Sequence, residues 1–293
     1  PQPSSIGCAP RRAPTGAASP CSQTPTTWEF ARGPLRTWPI SSWRQTARQG
    51  RHRRTVHTLG DADVLAWGGA IGGSRLEAGE LLVATARSAD LAGFAPTLLS
   101  ADELDRSRQF RVAADRDRFF AAHGLKRRLL GLLLDAPGAQ LRFERQWAGK
   151  PQLVGRELHF NLSHSGDWVV LAISRSAPVG VDIEQGDSAL PEGMLSRALH
   201  PDDRLAPEPD SLVDRFYTAW SLKEAVSKGV GIGLAVPFTQ LRLEPTTPTQ
   251  YRCRHGDELW HAEHRKLEGG AHLAVACLSP WKRLRLLRIE HGI

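Results

Sequence analysis

The sequence predicts an α+β fold made of two similar halves. Two long helical segments, residues 100–134 and Leu212 to Gly229, each have predicted strands before and after them. A strand–helix–strands run therefore occurs twice, with a break near "EQGDSALPEG". Two such runs, each with an apolar face to bury, are expected to pack together. We place the first half at residues 78–187 and the second at residues 188–293.

The first half begins with the strand pattern "ELLVATA" at Glu80. Ser100 is expected to cap the following helix, because Glu103 stands three residues later, as in a capping box. Alternating and apolar runs then predict four strands: "LRFER", "LHFNLSHS", "WVVLAIS" and "VGVDIEQ". In the second half, strands are predicted after the helix at "FTQLRLE", "ELWHAEHRK" and "HLAVACLS".

Residues 1–77 are predicted to form an irregular basic leader. They contain ten arginines against four acidic residues, with abundant Pro, Ser and Gly and no sustained periodicity. This segment carries most of the net charge of +7, so the rest of the chain is nearly neutral. We expect a chain shortened to start near Ala78 to fold and stay active. Charge alone does not support nucleic-acid binding through "RQGRHRR", which is kept as an alternative.

The composition also indicates the cellular compartment of the protein. No run of about 18 apolar residues predicts a membrane span, and the N-terminal residues lack the apolar core of a signal peptide. The four cysteines show neither CxxC pairing nor metal-ligand spacing, which favours free thiols. We therefore expect a cytoplasmic protein that does not bind membranes.

The stretch "GVDIE" places two carboxylates on one face of a strand. Residues two apart share a face, so Val181 and Ile183 should enter the core while Asp182 and Glu184 project together. Neighbouring carboxylates repel each other unless a cation compensates. Hard oxygen ligands suit Mg²⁺. A solvated strand face explains this segment equally well.

The stretch "WSLKEAVSKGVGIGL" adds a third carboxylate and further cations. On a helical wheel, Glu224 and Lys228 lie one turn apart, opposite a buried stripe, with Trp220 and Lys223 beside them. The glycines let the backbone leave the helix at Gly229. A third carboxylate with cations beside an acidic pair favours a metal–phosphate site. The glycine run follows a helix, not a strand, so it is no dinucleotide fingerprint.

Two shorter motifs fit an anion site. "GKPQL" holds Lys150 on a Gly–Pro turn, from which it could reach an anion, although such a sequence is usually only a turn. "HFNLSHSGDW" offers a serine hydroxyl and an imidazole as partners for phosphate oxygens. No GxSxG or Walker motif is found, so hydrolase and NTPase functions lack support.

The ordered set "GKP", "FNLSHSGDW", "GVDIE" and "WSLKEAVSKGVGIGL" resembles the Sfp-type 4′-phosphopantetheinyl transferases. The resemblance runs from about Glu80 to about Ser279. It implies a pair of α/β halves with the active site between them. It also implies Mg²⁺-dependent transfer of the phosphopantetheine arm of coenzyme A to a serine of an apo acyl- or peptidyl-carrier protein, releasing 3′,5′-ADP.

The resemblance also implies roles for particular residues. Metal binding is implied for Asp182, Glu184 and Glu224, and catalysis for Glu224, as base toward the carrier serine directly or through water, together with Lys228. The residues implied to bind the coenzyme are Arg106, Arg145, Lys150, Asn161, Ser163, His164 and Lys228.

Three further expectations complete the sequence-based hypothesis. Replacing Asp182 or Glu224 by alanine should abolish transfer and leave the fold intact, because the cluster is expected to be solvated. Two halves in one chain would complete the site, which favours a monomer. A non-catalytic carrier- or coenzyme-binding module is the alternative from another functional class.

Overall fold

Every residue that the computed structural model describes lies within residues 54–293. The fold is α+β, as the sequence predicts. Its described residues are 63–66, 75–91, 98–146, 149–155, 158–186, 190, 193–206, 209 and 211–290. The Arg-rich stretch, the leader tryptophans, Cys8 and Cys21 lie outside them. The two described cysteines, Cys253 and Cys277, are free and buried.

The first sheet has five strands in the spatial order β1-β12-β2-β6-β5, and β1 and β2 both run parallel to β12. Its strands are β1 (Asp63–Ala66), β2 (Glu80–Arg87), β5 (His159–Ser165), β6 (Trp168–Ser174) and β12 (Arg283–Glu290). A separate small hairpin pairs β3 (Phe143–Arg145) with β4 (Pro151–Leu153).

The second sheet is an antiparallel series in the order β7-β11-β10-β9-β8. Its strands are β7 (Val179–Glu184), β8 (Leu243–Pro245), β9 (Gln250–His255), β10 (Glu258–Lys266) and β11 (His272–Cys277). Only the end of the predicted strand "FTQLRLE" is extended, because Phe238–Gln240 forms a 3₁₀ turn.

The helices are α1 (Ala101–Ser107), α2 (Ala113–Leu134), α3 (Met194–Ala198) and α4 (Leu212–Val230). The single helical region predicted over residues 100–134 is thus two helices. The capping box is confirmed: Ser100 Oγ accepts from the Glu103 backbone N–H, and the Glu103 carboxylate accepts from that of Ser100. No helix among these described segments has the length and apolar character needed to cross a bilayer.

The two sheets stack between the two long helices, which gives four layers. Alternation along β2 sends Leu82, Ala84 and Ala86 toward α2, while Leu81 and Val83 face the second sheet. Helix α4 covers the outer face of the second sheet with Ala219, Leu222 and Val226. The stripe expected on this helix is therefore buried, as predicted.

The predicted boundary between halves at residue 187 does not divide the sheets. Strand β7, assigned to the first half, opens the second sheet, and β12, assigned to the second half, lies inside the first. Strand β6 has β2 and β5 on its two edges, and β7 pairs with β11 in the second sheet. The chain therefore crosses between the sheets twice.

The predicted leader is also too long. Strand β1 lies within it and pairs along β12, and Leu76 is buried in the first core at 1 % exposure. Arg175 Nε donates to the Leu76 carbonyl at 2.9 Å. The folded unit therefore begins before residue 78, because an outer strand and a core side chain come from this segment.

Candidate functional site

The acidic residues of the site lie on β7 and α4, which cross in backbone contact. A Cβ on Gly180 would lie 1.9 Å from the Ala225 carbonyl oxygen and 2.4 Å from the Gly229 nitrogen. Glycine is therefore required at position 180 for the helix to approach the strand this closely. The contact brings Glu224 on α4 beside Asp182 and Glu184 on β7.

The alternation predicted on β7 is observed, but its polar side is not solvated. Val181 and Ile183 lie in the core between the sheets, and Asp182 is itself 1 % exposed because α4 covers it. The side chains of Glu224 and Lys228 are 13 % and 24 % exposed. The expectation of a solvated cluster is therefore wrong, since it treated the strand without the helix that packs on it.

Lys228 joins Asp182 and Ser163 at the centre of the cluster. Its Nζ lies 2.6 Å from Asp182 Oδ1 and donates to Ser163 Oγ at 3.0 Å. Ser163 Oγ in turn donates to Asp182 Oδ1 at 3.0 Å and accepts from the Ile183 N–H at 3.4 Å. The lysine is largely desolvated, but Asp182 and Glu224 raise its pKa, so it stays a cation.

Glu184 is held from both sides. Ser165 Oγ donates to one of its oxygens and Trp220 Nε1 to the other, each at 3.2 Å. Burial, and then repulsion from Asp182, raises the pKa of Glu184 to about 7. A cation bound near these two carboxylates would lower that pKa.

Glu224 contacts the same lysine and keeps one oxygen unused. Its Oε1 lies 3.8 Å from Lys228 Nζ, and burial raises its pKa. Among the described residues, the buried side-chain oxygens without a hydrogen-bond partner are Glu224 Oε2 and Asp182 Oδ2. Burying a carboxylate oxygen without a hydrogen-bond partner destabilises the fold unless the oxygen is protonated or binds a cation.

The donor chemistry of the cluster fits Mg²⁺. Three carboxylates face one lysine, so two negative charges are uncompensated when all are ionised. No ready-made group of three or more His, Cys, Asp or Glu ligands is found among the described segments. Mg²⁺ usually takes one or two protein carboxylates and completes its octahedron with water and phosphate, so a closed protein cage is not required.

The predicted coenzyme residues Arg106, Arg145 and Asn161 line a second feature, a cavity of about 1040 Å³. Burial, and then the charge of Arg145, lowers the pKa of Arg106. Asn161 Oδ1 accepts from the Val181 N–H at 2.9 Å, so this residue also ties β5 to β7. The cavity is thus basic where the neighbouring cluster is acidic.

A buried ionic network forms one wall of this cavity, and it is absent from the sequence-based set. Glu103 binds Lys126 at 2.8 Å, Arg127 at 2.5 Å and His123 at 2.7 Å. Burial alone would raise the pKa of Glu103, but these partners lower it. The capping motif predicted Glu103 as a helix cap, and no local signal indicated its partners on α2.

His164 lies near the acidic cluster with a cation that sequence reasoning did not assign to the site. Desolvation, and then the charges of Arg118 and Lys228, lowers its pKa. Arg118 Nη1 lies 3.2 Å from Asp115 Oδ1 on the same helix. In the sequence, Arg118 is one of several basic residues along α2 and carries no motif. Its effect on His164 depends on tertiary packing.

Two lysines have structural partners. Lys150 Nζ donates to the backbone carbonyls of Val179 at 3.0 Å and Gly229 at 2.7 Å. Lys223, expected beside the acidic pair, is fully buried and lies 2.5 Å from Asp203 Oδ2. Lys223 therefore lies outside the cluster. Coenzyme binding by Lys150 stays a prediction.

The end of α4 differs slightly from expectation. The helix continues through Gly229 to Val230, and Gly231 ends it with a φ of 94°. The Gly231 N–H donates to the Ser227 carbonyl at 3.0 Å. Gly229 instead serves packing, because a Cβ there would lie 2.4 Å from the Trp260 ring.

A two-sheet α+β fold with a desolvated carboxylate–lysine cluster beside a basic cavity is an arrangement typical of enzymes that act on anionic substrates. Family comparisons agree with this class. The 4′-phosphopantetheinyl transferase superfamily model matches residues 178–277, and the N-terminal 4′-phosphopantetheinyl transferase model matches residues 88–176. The division between the two models falls at the turn before β7, where the chain passes to the second sheet.

Individual relatives point to the same family. A phosphopantetheinyl transferase of Thraustochytrium is 34% identical over 67% of this chain and 80% of its own length. The 4′-phosphopantetheinyl transferase HetI of Nostoc is 34% identical over 52% of this chain and 68% of its own. The 4′-phosphopantetheinyl transferase Sfp of Bacillus subtilis is 32% identical over 48% and 64%. The chain belongs to the 4′-phosphopantetheinyl transferase superfamily, and it is a transferase.

Proposed function

We propose that this transferase moves the 4′-phosphopantetheine arm of coenzyme A to a serine of an apo acyl- or peptidyl-carrier protein, with Mg²⁺, and releases 3′,5′-ADP. The observation that carries the proposal is the cluster of Asp182, Glu184, Glu224 and Lys228, in which two buried carboxylate oxygens have no partner. All four residues lie on one chain, which supports a site that needs no second copy.

The cluster has the charges that phosphoryl transfer requires. Bound Mg²⁺ would neutralise phosphate charge, with Asp182, Glu184 and Glu224 as the residues that hold it. Lys228 adds a fixed positive charge beside Ser163, where it can stabilise an anionic group as charge develops. Catalysis of this kind depends mainly on positioning and electrostatics, which a desolvated cluster favours.

Glu224 is proposed as the base that accepts the proton of the carrier serine. Its Oε2 is unpaired, and burial raises its pKa toward the range in which a carboxylate is an effective proton acceptor. The proton can pass directly or through one water molecule. The basic cavity lined by Arg106 and Arg145 is proposed to hold the phosphorylated end of the coenzyme.

The test is an intact-mass assay with purified carrier domains. The protein, coenzyme A and Mg²⁺ should raise the mass of an apo acyl- or peptidyl-carrier domain by one phosphopantetheine group. A carrier whose acceptor serine is replaced by alanine is the matched control and should keep its mass. An unchanged mass for a panel of fatty-acid, polyketide and peptide carriers would contradict the proposal.

A further inference from the structure

The contact between β7 and α4 is fixed by a residue from a third element. These two elements carry all three carboxylates, so their relative placement sets the geometry of the cluster. They meet at Gly180 and Gly229 with no side chain between them. Lys150, directly before β4, reaches this meeting point with its Nζ.

The ammonium group of Lys150 bridges one backbone oxygen from each element. It donates to the Val179 carbonyl at the start of β7 and to the Gly229 carbonyl in the last turn of α4. The last carbonyls of a helix have no partner within the helix, and a cation there also interacts favourably with the helix dipole. One side chain thus satisfies the helix end and joins it to the strand.

The segment that carries Lys150 is well placed to act as a fixed support. Gly149, directly before Lys150, has a φ of 88°, and the Gln146 N–H donates to the Lys150 carbonyl at 2.9 Å. The lysine stem packs beside the helix end, since a Cβ on Gly231 would lie 3.4 Å from Lys150 Cδ. Burial lowers the pKa of Lys150 to about 8.

We propose that Lys150 is a positioning residue: its ammonium clamps the last turn of α4 onto β7 and thereby places Lys228 against Asp182 and Ser163. The proposal rests on the transferase function described above. Lys228 immediately precedes Gly229, so a shift of that carbonyl moves the catalytic lysine directly. Displacements of about 1 Å in such a site can cost about a hundredfold in rate.

Two substitutions separate positioning from coenzyme binding. Lys150→Met removes the donor and keeps the length of the stem. Lys150→Arg keeps the charge but cannot place one nitrogen between the two carbonyls in the same way. Lys282→Met, at an exposed lysine beside the Gly79 turn, is the control. Both Lys150 variants should lose at least about tenfold in kcat at saturating coenzyme A, with KM for the coenzyme changed less than about threefold.

Hydrogen exchange gives a readout that does not depend on turnover. In Lys150→Met, amides of the last turn of α4, including Gly231, should exchange at least about tenfold faster than in Lys282→Met. If Lys150→Met does not fold, Lys150→Arg carries both measurements.

Three results would each overturn the clamp. The first is a raised KM for the coenzyme with unchanged kcat, and the second is a Lys150→Arg variant with the activity of the unmodified protein. The third is an unchanged rate of amide exchange at the end of α4. If the unmodified protein transfers no phosphopantetheine, the proposed function is wrong. The amide-exchange rates of Lys150→Met and Lys282→Met still test whether Lys150 holds the end of α4.

Discussion

Lys228 on α4 and Asp182 on β7 form the central ion pair of the site, with Nζ 2.6 Å from Oδ1. The pair joins the two elements that supply the carboxylates, and Ser163 from the first sheet hydrogen-bonds to both partners. The stability of the fold and the proposed catalysis therefore depend on the same contact.

Replacing Lys228 by methionine should abolish measurable transfer and destabilise the protein in a pH-dependent way. Without the cation, the carboxylates of Asp182, Glu184 and Glu224 repel one another in a desolvated place. Removing one partner of a buried ion pair costs on the order of 3 kcal/mol. The pKa values of Glu184 and Glu224, already raised by burial, should rise further, so the loss should be greater at pH 8 than at pH 5.5. Urea unfolding at both pH values measures this, with Lys282→Met as the control, and an equal loss at both would contradict the expectation.

Mg²⁺ should raise the melting temperature of the protein in the absence of substrate. Binding to the folded state at 100 times Kd adds about 2.7 kcal/mol of stability. The pKa of Glu184 is about 7, so the carboxylate is mostly ionised at pH 8 and mostly protonated at pH 6. The Mg²⁺-induced shift should therefore be larger at pH 8.

Asp182→Asn should reduce that shift while nearly preserving the shape of the side chain. The surface substitution Asp257→Asn, at the turn between β9 and β10, is the matched control. Differential scanning fluorimetry with and without Mg²⁺ measures all three proteins. A shift of the same size in Asp182→Asn would remove Asp182 from the proposed metal ligands.

A histidine pair beside the site, with His272 opposite Glu184 in the β11–β7 pairing, should make the protein sensitive to acid. His264 Nε2 and His272 Nδ1 lie 3.1 Å apart, and burial lowers their pKa values to about 3 and about 4. The unfolded chain takes up these protons near pH 6.5, so stability should fall as the pH drops from 6.5 toward 4, by about 1.4 kcal/mol per unit for each histidine. His264→Leu should flatten this dependence in urea titrations. If unfolding free energy depends on pH in the same way in His264→Leu and in the unmodified protein, the histidine pair does not cause the acid sensitivity.

Shortening the chain to residue 78 should destabilise it, contrary to the expectation from composition. The deletion removes β1 and the buried Leu76, and loss of a core leucine side chain alone costs about 2–5 kcal/mol. A chain that starts at residue 54 keeps both features and is the matched comparison. Denaturant unfolding and the mass assay compare the two, and equal stability would show that β1 and Leu76 contribute little.

Features set by nearby residues were predictable from the sequence. The capping box of Ser100 and Glu103 and the inward direction of Val181 and Ile183 depend on short-range geometry, and both are observed. The motifs also singled out Asp182, Glu224 and Lys228, which the fold brings together.

Features set by distant packing were not predictable. The desolvation of Asp182 depends on α4, which follows it by about thirty residues, and the partner of Lys223 lies in a loop before that helix. The parallel pairing of β12 with β1 and β2 joins strands about two hundred residues apart, for which no local pattern exists. Leu76 was overlooked for a similar reason, since its contacts lie far along the chain.

The place of β12 in the first sheet has a consequence for biosynthesis. This strand, Arg283–Glu290, lies between β1 and β2. The first sheet therefore cannot be completed until these residues have emerged from the ribosome. Until then one edge of β2 in the nascent protein lacks its partner strand, which invites wrong pairing. Folding during translation can assemble α4 on the second sheet earlier, but the first sheet is completed only after β12 emerges.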